Sequence, residues 1–276
     1  MPTPPPFTPS PAGDDDMVRR VLGERTVLLG WGRAVLLQVA HPLIAEGVAS
    51  HSSFTSGPLA PFIRLRATIR AMLALVFGSD DEAGRAAAGI NAIHDRVHGR
   101  LRESAGRFAA GTEYSAHDAP LLSWVHLTLI DSLLGAYERF VEPLASGERD
   151  RYCVQAARIE PRLGIPAGSL PRTAAEAKRE FDRRLASDEI AVAPTARTIA
   201  ETVLHPPPAI LTAPVAWVHR DATIGTLPPD IRTAYGFTWS PADERRLRYT
   251  AAGFQRARRF TPRWVRQWPE ARRAAS

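Results

Sequence analysis

The chain has little of several residue types, and each shortage excludes a class of protein. Its 276 residues include a single cysteine, Cys153, which rules out an internal disulfide and any all-cysteine metal site. Lys178 is the only lysine, so the formal net charge of +6 depends on arginine. The arginines are scattered apart from clusters at Arg245–Arg248 and Arg256–Arg259, and no motif that reads nucleic acid accompanies them. We therefore expect no nucleic acid among the partners.

Long apolar runs and export signals are also scarce. The most apolar segment, Val27–Ala49, contains the acidic Glu46, and a proline interrupts it at His41–Pro42. It predicts a buried helix, a break and a second short helix rather than a membrane span. Residues 1–16, MPTPPPFTPSPAGDDD, lack the basic and apolar regions of a signal peptide, and their composition predicts a disordered tail. We expect a cytoplasmic protein.

Helical periodicity dominates the rest of the chain and predicts an all-α fold. The predicted helices are Met17–Leu29, Arg33–Ala40, Pro61–Phe77, Asp81–Gly99, Ala119–Val141, Glu148–Arg162, Thr173–Ala186, Thr195–Leu204 and Pro241–Phe260. A strand is conceivable only at Glu189–Val192. Ser79 or Asp80 could cap the fourth helix and Gly99 could end it, while the short turn before it predicts an antiparallel hairpin with the third. No linker divides residues 17–276, which predicts one domain after the tail.

Two histidines, His94 and His98, stand four residues apart in INAIHDRVHGR and would share one face of a helix. The spacing fits a zinc pair, a haem ligand with a neighbour, or two structural or surface residues. Zinc is disfavoured because no third ligand follows and because Asp95 replaces the glutamate of the H-E-x-x-H motif. Haem needs only one neutral imidazole, and both histidines could not bind opposite faces of the same haem. The haem and structural interpretations both remain open.

Two further polar residues interrupt apolar helices. His126 lies in LLSWVHLTLIDSLL, and this apolar pattern predicts that it is buried and must hydrogen-bond. Asp131 and Ser132 are on the same helix. A redox or substrate-binding role is the alternative. Glu46 fits an exposed position at a helix end, with a catalytic base as the alternative. The sequence contains no nucleophile elbow, phosphate-binding glycine loop or dinucleotide fingerprint.

Six segments occur in an order and spacing typical of a known family. They are GWGRAVLLQVAHPLIAEGVASHSSF, PFIRLRATIRAMLALVFG, INAIHDRVHG, YSAHDAPLLSWVHLTLIDSLLGAYERF, ERDRYCVQAARIEPRLGIPAGSLP and LPPDIRTAYGFTWSPADERRLR. Together they resemble the MpaB and rubber-oxygenase (latex clearing protein) family, from about Met17 to about Arg266. The resemblance implies a single-domain helical bundle that encloses one b-type haem. It also implies oxidative cleavage of carbon–carbon double bonds in isoprenoid chains with dioxygen.

The resemblance assigns roles to particular residues. The family's ligand histidine lies in an H-x-x-V-x-G-like motif, which matches His94 and leaves His98 as its neighbour. An arginine and a threonine near the open side of the haem match Arg64 and Thr68. Rubber oxygenases carry a lysine just before that threonine, and this chain has Ala67. The resemblance therefore implies an iron without a distal lysine ligand and puts rubber in doubt as a substrate.

The expected protein is a haem b-dependent oxygenase that uses O2 on a small apolar, isoprenoid-like substrate. His94 is the expected iron ligand, and His98 and His126 are expected beside the haem. Arg64 and Thr68 are expected at the distal or propionate side, with Glu46 as the candidate base. Two alternatives remain: a haem sensor or carrier without oxygenase turnover, and a helical scaffold without a cofactor. Peripheral contact with a membrane is a further expectation.

Overall fold

The computed structural model describes residues 16–51, 60–205 and 213–274 and is mostly helical. Its helices are α1 (Met17–Gly23), α2 (Trp31–Val39), α3 (Pro42–His51), α4 (Ala60–Phe77), α5 (Asp80–His94), α6 (Ala119–Phe140), α7 (Ser146–Ala156), α8 (Ala174–Leu185), α9 (Pro194–Leu204), α10 (Ala213–Thr226), α11 (Pro229–Ala234), α12 (Pro241–Arg258), α13 (Arg263–Arg266) and α14 (Pro269–Arg273). Two 3-10 helices cover Arg25–Gly30 and Ala157–Arg162. The all-α prediction is confirmed.

The core forms around α6, which packs against α2 and the 3-10 helix Arg25–Gly30. Trp124 on α6 is fully buried and donates its Nε1–H to the carbonyl oxygen of Leu37 over 3.1 Å. The Tyr235 hydroxyl donates to the carbonyl oxygen of Leu36 over 2.6 Å, which ties the C-terminal half of the chain to the same helix. By length and composition α6 could span a membrane, but 61% of its apolar window is buried inside the fold.

The chain bends sharply between α2 and α3, as the proline predicted. The axis turns by 106° at the break before Pro42. Pro42 has no N–H to continue the helical hydrogen bonds, so a new helix begins there. His41 at the bend is buried, and burial together with Arg184 and Arg107 lowers its pKa to about 4.

Helices α4 and α5 form the predicted antiparallel hairpin. Ser79 caps α5, accepting a hydrogen bond from the Glu82 N–H, while the Glu82 carboxylate accepts from the Ser79 N–H over 2.8 Å. Gly78 permits the tight connection, because a Cβ there would lie 2.5 Å from the carbonyl oxygen of Ala74. The hairpin places the N-terminal half of α4 beside the C-terminal half of α5.

Other predicted boundaries are wrong. Helix α5 ends at His94, and the chain then forms a two-stranded antiparallel hairpin of β1 (His98–Arg100) and β2 (Glu113–Ser115). Gly99 is a strand residue rather than a helix cap, and a Cβ there would lie 2.8 Å from the Tyr114 hydroxyl. Residues 189–192 are not a strand, and α10 and α11 were not predicted. The predicted tail lies outside the described residues up to residue 15, while Asp16 caps α1.

Candidate active site

A large cavity lies between the α4–α5 hairpin and the core helix α6. Its volume is about 1430 Å³, above the roughly 300–1,000 Å³ of typical small-molecule pockets. Most of its wall is apolar and comes from several helices, including Leu22, Leu43, Met72, Leu75, Ile90, Leu122, Leu129, Leu133, Ile159 and Leu163. Such a wall favours an apolar ligand, or a flat macrocycle together with an apolar substrate.

His94 lines this cavity from the last residue of α5. Neither ring nitrogen makes a hydrogen bond within the described residues, and Nδ1 is fully buried without a partner. Burial and the nearby His117 lower the pKa of His94, which favours its neutral form. The His117 ring lies edge-on at 5.8 Å between ring centroids, and its Nε2 is 2.8 Å from the Asp95 carboxylate. His94 is therefore a neutral imidazole with a free ligating position.

His126 is a second histidine in the same cavity, at the middle of α6. Burial, with a smaller contribution from His94, lowers its pKa to about 4. The prediction that His126 must hydrogen-bond is wrong for the described residues. Asp131 and Ser132 are each 2.6 Å from Nη1 of Arg33, and His126 makes no side-chain hydrogen bond in the described part of the chain. The site thus holds two neutral histidines rather than one.

Helix α4 supplies the opposite wall. Thr68 and Ala67 both line the cavity, so the hairpin brings Thr68 and His94 to the same space, as predicted. Ala67 presents only a methyl group, which cannot ligate a metal. Arg64 lies on α4 four residues before Thr68, but its side chain lies outside the described residues. Its predicted role therefore stays a prediction.

Two predicted site residues lie elsewhere. His98 is exposed on β1 and does not line the cavity, because α5 ends before it and the chain turns away. The prediction that His94 and His98 share one helical face is therefore wrong. The helix geometry that the H-E-x-x-H zinc motif requires is absent from these described residues as well. The His98 ring centroid lies 6.5 Å from that of His51, which does line the cavity. Among the described residues no group of three metal-ligating side chains occurs.

Glu46 also differs from its prediction. It is buried, with 4% of its surface exposed, rather than exposed at a helix end. Its Oε1 accepts hydrogen bonds from Arg102 Nε over 2.7 Å and from the Ser50 hydroxyl over 2.8 Å. It does not line the cavity, and its carboxylate is engaged by a cation. The arrangement makes Glu46 an anchor between α3 and the segment after β1, and the role of base stays untested.

Sequence reasoning missed the polar rim of the cavity. Arg19, Arg158 and Arg162 line it. Arg162 pairs with Asp80, whereas Arg158 is exposed and has no carboxylate within 4 Å in the described chain. No local motif marks these arginines, because their common position arises only when α1 and the 3-10 helix after α7 pack beside the hairpin.

The residues of the cavity fit a haem group. Haem requires a neutral ligating imidazole, an apolar enclosure and cations for its two carboxylates. His94 provides an imidazole whose buried Nδ1 has no protein partner, and the wall and Arg158 provide the other two. A metal ion bound by protein side chains alone fits less well, since two histidines do not complete a coordination sphere.

Comparison with known proteins assigns the class. Residues 18–261 match the family described as ER-bound oxygenase mpaB/B'/Rubber oxygenase, catalytic domain. The chain therefore belongs to this oxygenase family, which confirms the resemblance seen in the sequence and makes an oxidoreductase the broad class of the protein.

Two mycobacterial proteins are similar along most of their length. They are uncharacterized protein Mb2261 of Mycobacterium bovis and uncharacterized protein Rv2237 of Mycobacterium tuberculosis. Each is 27% identical over 237 residues, which cover 84% of this chain and 89% of the relative. No solved structure matches the chain at a significant level.

Proposed function

We propose that this protein is a haem b-dependent oxygenase that uses dioxygen on a small apolar, isoprenoid-like substrate. The observation that carries the proposal is the buried, unpartnered ring nitrogen of His94 at the edge of a large apolar cavity. Family membership supplies the reaction class. When bound, haem would supply the redox chemistry that activates dioxygen.

The chain's own residues have distinct tasks in this proposal. His94 ligates the iron, for which its lowered pKa is suitable because only the neutral imidazole has a free lone pair. Thr68 carries a hydroxyl that can hydrogen-bond to an oxygen atom in the cavity, and Ala67 leaves space beside it. Arg158 can pair with a haem carboxylate. The apolar wall excludes water and favours substrates without charge.

The first test is the visible spectrum of the purified protein and its haem content per chain. His94→Ala should abolish stable haem binding, because it removes the only proposed ligand. His98→Ala is the matched control, since His98 lies four residues away and outside the cavity, and it should retain most of the haem. Equal loss in both variants, or loss only in His98→Ala, would overturn the assignment of the ligand.

The second test is oxygen consumption with apolar alkenes of increasing length. The proposal expects consumption that depends on haem and on an alkene, with an oxidised product. Turnover that persists in haem-free protein would contradict it.

A second candidate function is a haem carrier or sensor without oxygenase turnover. The presence of His126 in the same cavity as His94 favours it, because two histidines on one iron would leave no position for dioxygen. Electron paramagnetic resonance of the resting ferric protein distinguishes the two. A high-spin signal supports the oxygenase, and a purely low-spin signal with two nitrogen ligands that His126→Ala converts to high spin supports the carrier.

A further inference from the structure

The C-terminal part of the chain carries an unusual exposed surface. Phe260 is 87% exposed, Trp264 is 65% exposed and Val265 is 41% exposed, all within six residues. Large apolar side chains exposed singly are common on protein surfaces, but a cluster of this kind marks a site of interaction. We call these three residues, together with Arg256, Arg259 and Arg263, the aromatic–arginine surface.

The arginines of this region fall into two groups, one paired with carboxylates and one exposed. Residues 254–274 contain seven arginines and one acidic residue, Glu270, a formal charge of +6 that equals the net charge of the whole chain. Arg258 and Arg266 point inward and pair with the buried Glu24, and Arg258 also pairs with Glu142 over 3.0 Å. These two arginines fix the segment to the rest of the fold.

The three arginines of the aromatic–arginine surface behave differently. Arg256, Arg259 and Arg263 are exposed, and none has a carboxylate within 4 Å in the part of the chain that the structure describes. Arg263 makes only a hydrogen bond to the Gln267 side chain, over 3.0 Å. Their charge is therefore not neutralised within the fold and is available to an anionic partner.

The segment lies beside one end of the cavity. The Trp268 N–H donates to the carbonyl oxygen of Gly23 over 3.1 Å, and α14 packs against α1 and α4. Ala274 lines the cavity together with residues of the α4–α5 connection, of which Ser79 is exposed to solvent. The cavity therefore opens on the side of the fold where α14 packs, and α14 directly follows the aromatic–arginine surface in the chain.

We propose that the aromatic–arginine surface docks on anionic lipid membranes and thereby brings this opening of the cavity to the bilayer. Arginine attracts anionic headgroups, and tryptophan and phenylalanine insert at the headgroup boundary. Phe260 and Val265 have no polar group that could read a base or a peptide. An apolar cavity that opens beside such a surface can take its ligand from the lipid phase. This inference goes beyond the proposed function and does not depend on haem.

The experiment is flotation of the full-length protein with vesicles of phosphatidylcholine alone and with vesicles that contain about one third phosphatidylglycerol. The protein should float with the anionic vesicles and much less with the neutral ones. High salt should weaken the binding, because it screens charge. Equal binding to both vesicle types, or binding to neither, would overturn the proposal.

Two sets of variants identify the surface. The triple variant Arg256→Gln, Arg259→Gln, Arg263→Gln should lower the partition coefficient roughly 100-fold, at roughly fivefold for each arginine near an anionic surface. The charge-matched control is Arg96→Gln, Arg179→Gln, Arg220→Gln, which changes exposed arginines outside α12 and α13 and should leave binding close to that of the unmodified protein. An equal loss in the two triple variants would mean that net charge, not this surface, causes binding.

The aromatic contribution has its own control. Trp264→Ala should lower the partition coefficient on anionic vesicles roughly tenfold, because it removes one aromatic side chain that inserts at the headgroup boundary. Trp217→Ala removes a tryptophan that is 73% exposed on α10 and should have little effect. A single-stranded DNA oligonucleotide serves as the competing partner. Tighter binding to DNA than to anionic vesicles would assign the surface to nucleic acid and refute membrane docking.

Discussion

Acidification should destabilise this protein partly through His41, the buried histidine at the bend between α2 and α3. Only 2% of its surface is exposed, and its Nδ1 has no hydrogen-bond partner among the described residues. Burial, Arg184 and Arg107 together lower its pKa from 6.5 to about 4. The folded state therefore keeps His41 neutral in a pH range where the unfolded chain protonates it.

The sign and size of the effect follow from this difference. Because the unfolded state binds the proton more tightly, the free energy of unfolding is fully retained above pH 6.5 and falls between pH 6.5 and pH 4. At about 1.4 kcal/mol for each pH unit, the loss due to His41 is about 2 kcal/mol at pH 5 and about 3 kcal/mol at pH 4. Below pH 4 the contribution becomes constant.

The assay is chemical denaturation of the unmodified protein and His41→Gln at pH 7.5 and pH 5. Each protein is compared with itself, so a destabilisation caused by the substitution at both pH values cancels. His41→Gln should lose about 2 kcal/mol less than the unmodified protein on acidification. His205→Gln is the control, because its side chain is 64% exposed and pairs with Glu201 on the surface of α9. Equal losses in the unmodified protein and His41→Gln would refute the reasoning.

Other predictions concern glycine and the N-terminus. Gly30→Ala should cost about 3 kcal/mol in the free energy of unfolding, because the new Cβ would lie 2.4 Å from the carbonyl oxygen of Ser132. Gly135→Ala, on α6 with nothing within 4 Å of the new Cβ, should be neutral or stabilising by up to about 1 kcal/mol in the same denaturation experiment. Deletion of residues 1–15 should leave the melting temperature and haem content unchanged, and a fall of many degrees would contradict it. Asp16→Ala should cost about 1 kcal/mol, since its carboxylate caps α1, and an unchanged stability would show that the cap is unimportant.

The features that the sequence predicted correctly have local causes. The bend before Pro42 follows from a missing N–H, and the start of α5 follows from the reciprocal hydrogen bonds of Ser79 and Glu82. The α4–α5 hairpin follows from the short connection between two helical patterns. These signals are confined to a few neighbouring residues, so they can be read without knowledge of the rest of the fold.

The features that were missed depend on distant partners. The end of α5 is set by β2, because the Ala116 N–H donates to the carbonyl oxygen of Val97 over 2.8 Å and the strands pair beyond it. Glu46 is buried because Arg102, 56 residues further along the chain, reaches its carboxylate. His126 faces a cavity rather than a hydrogen-bond partner. Each outcome depends on packing between segments that periodicity treats separately.

The β1–β2 hairpin gives this site room to diversify during evolution. Its first strand follows His94 after a short turn, and its second strand precedes the helix that carries His126. The strand pairing fixes the two ends of the connecting loop. Insertions or deletions at the exposed residues 109–111 of this loop therefore need not move either histidine. Adding a few residues to a surface loop changes its closure entropy only slightly. Relatives could therefore differ in loop length here and still retain the same pair of imidazoles.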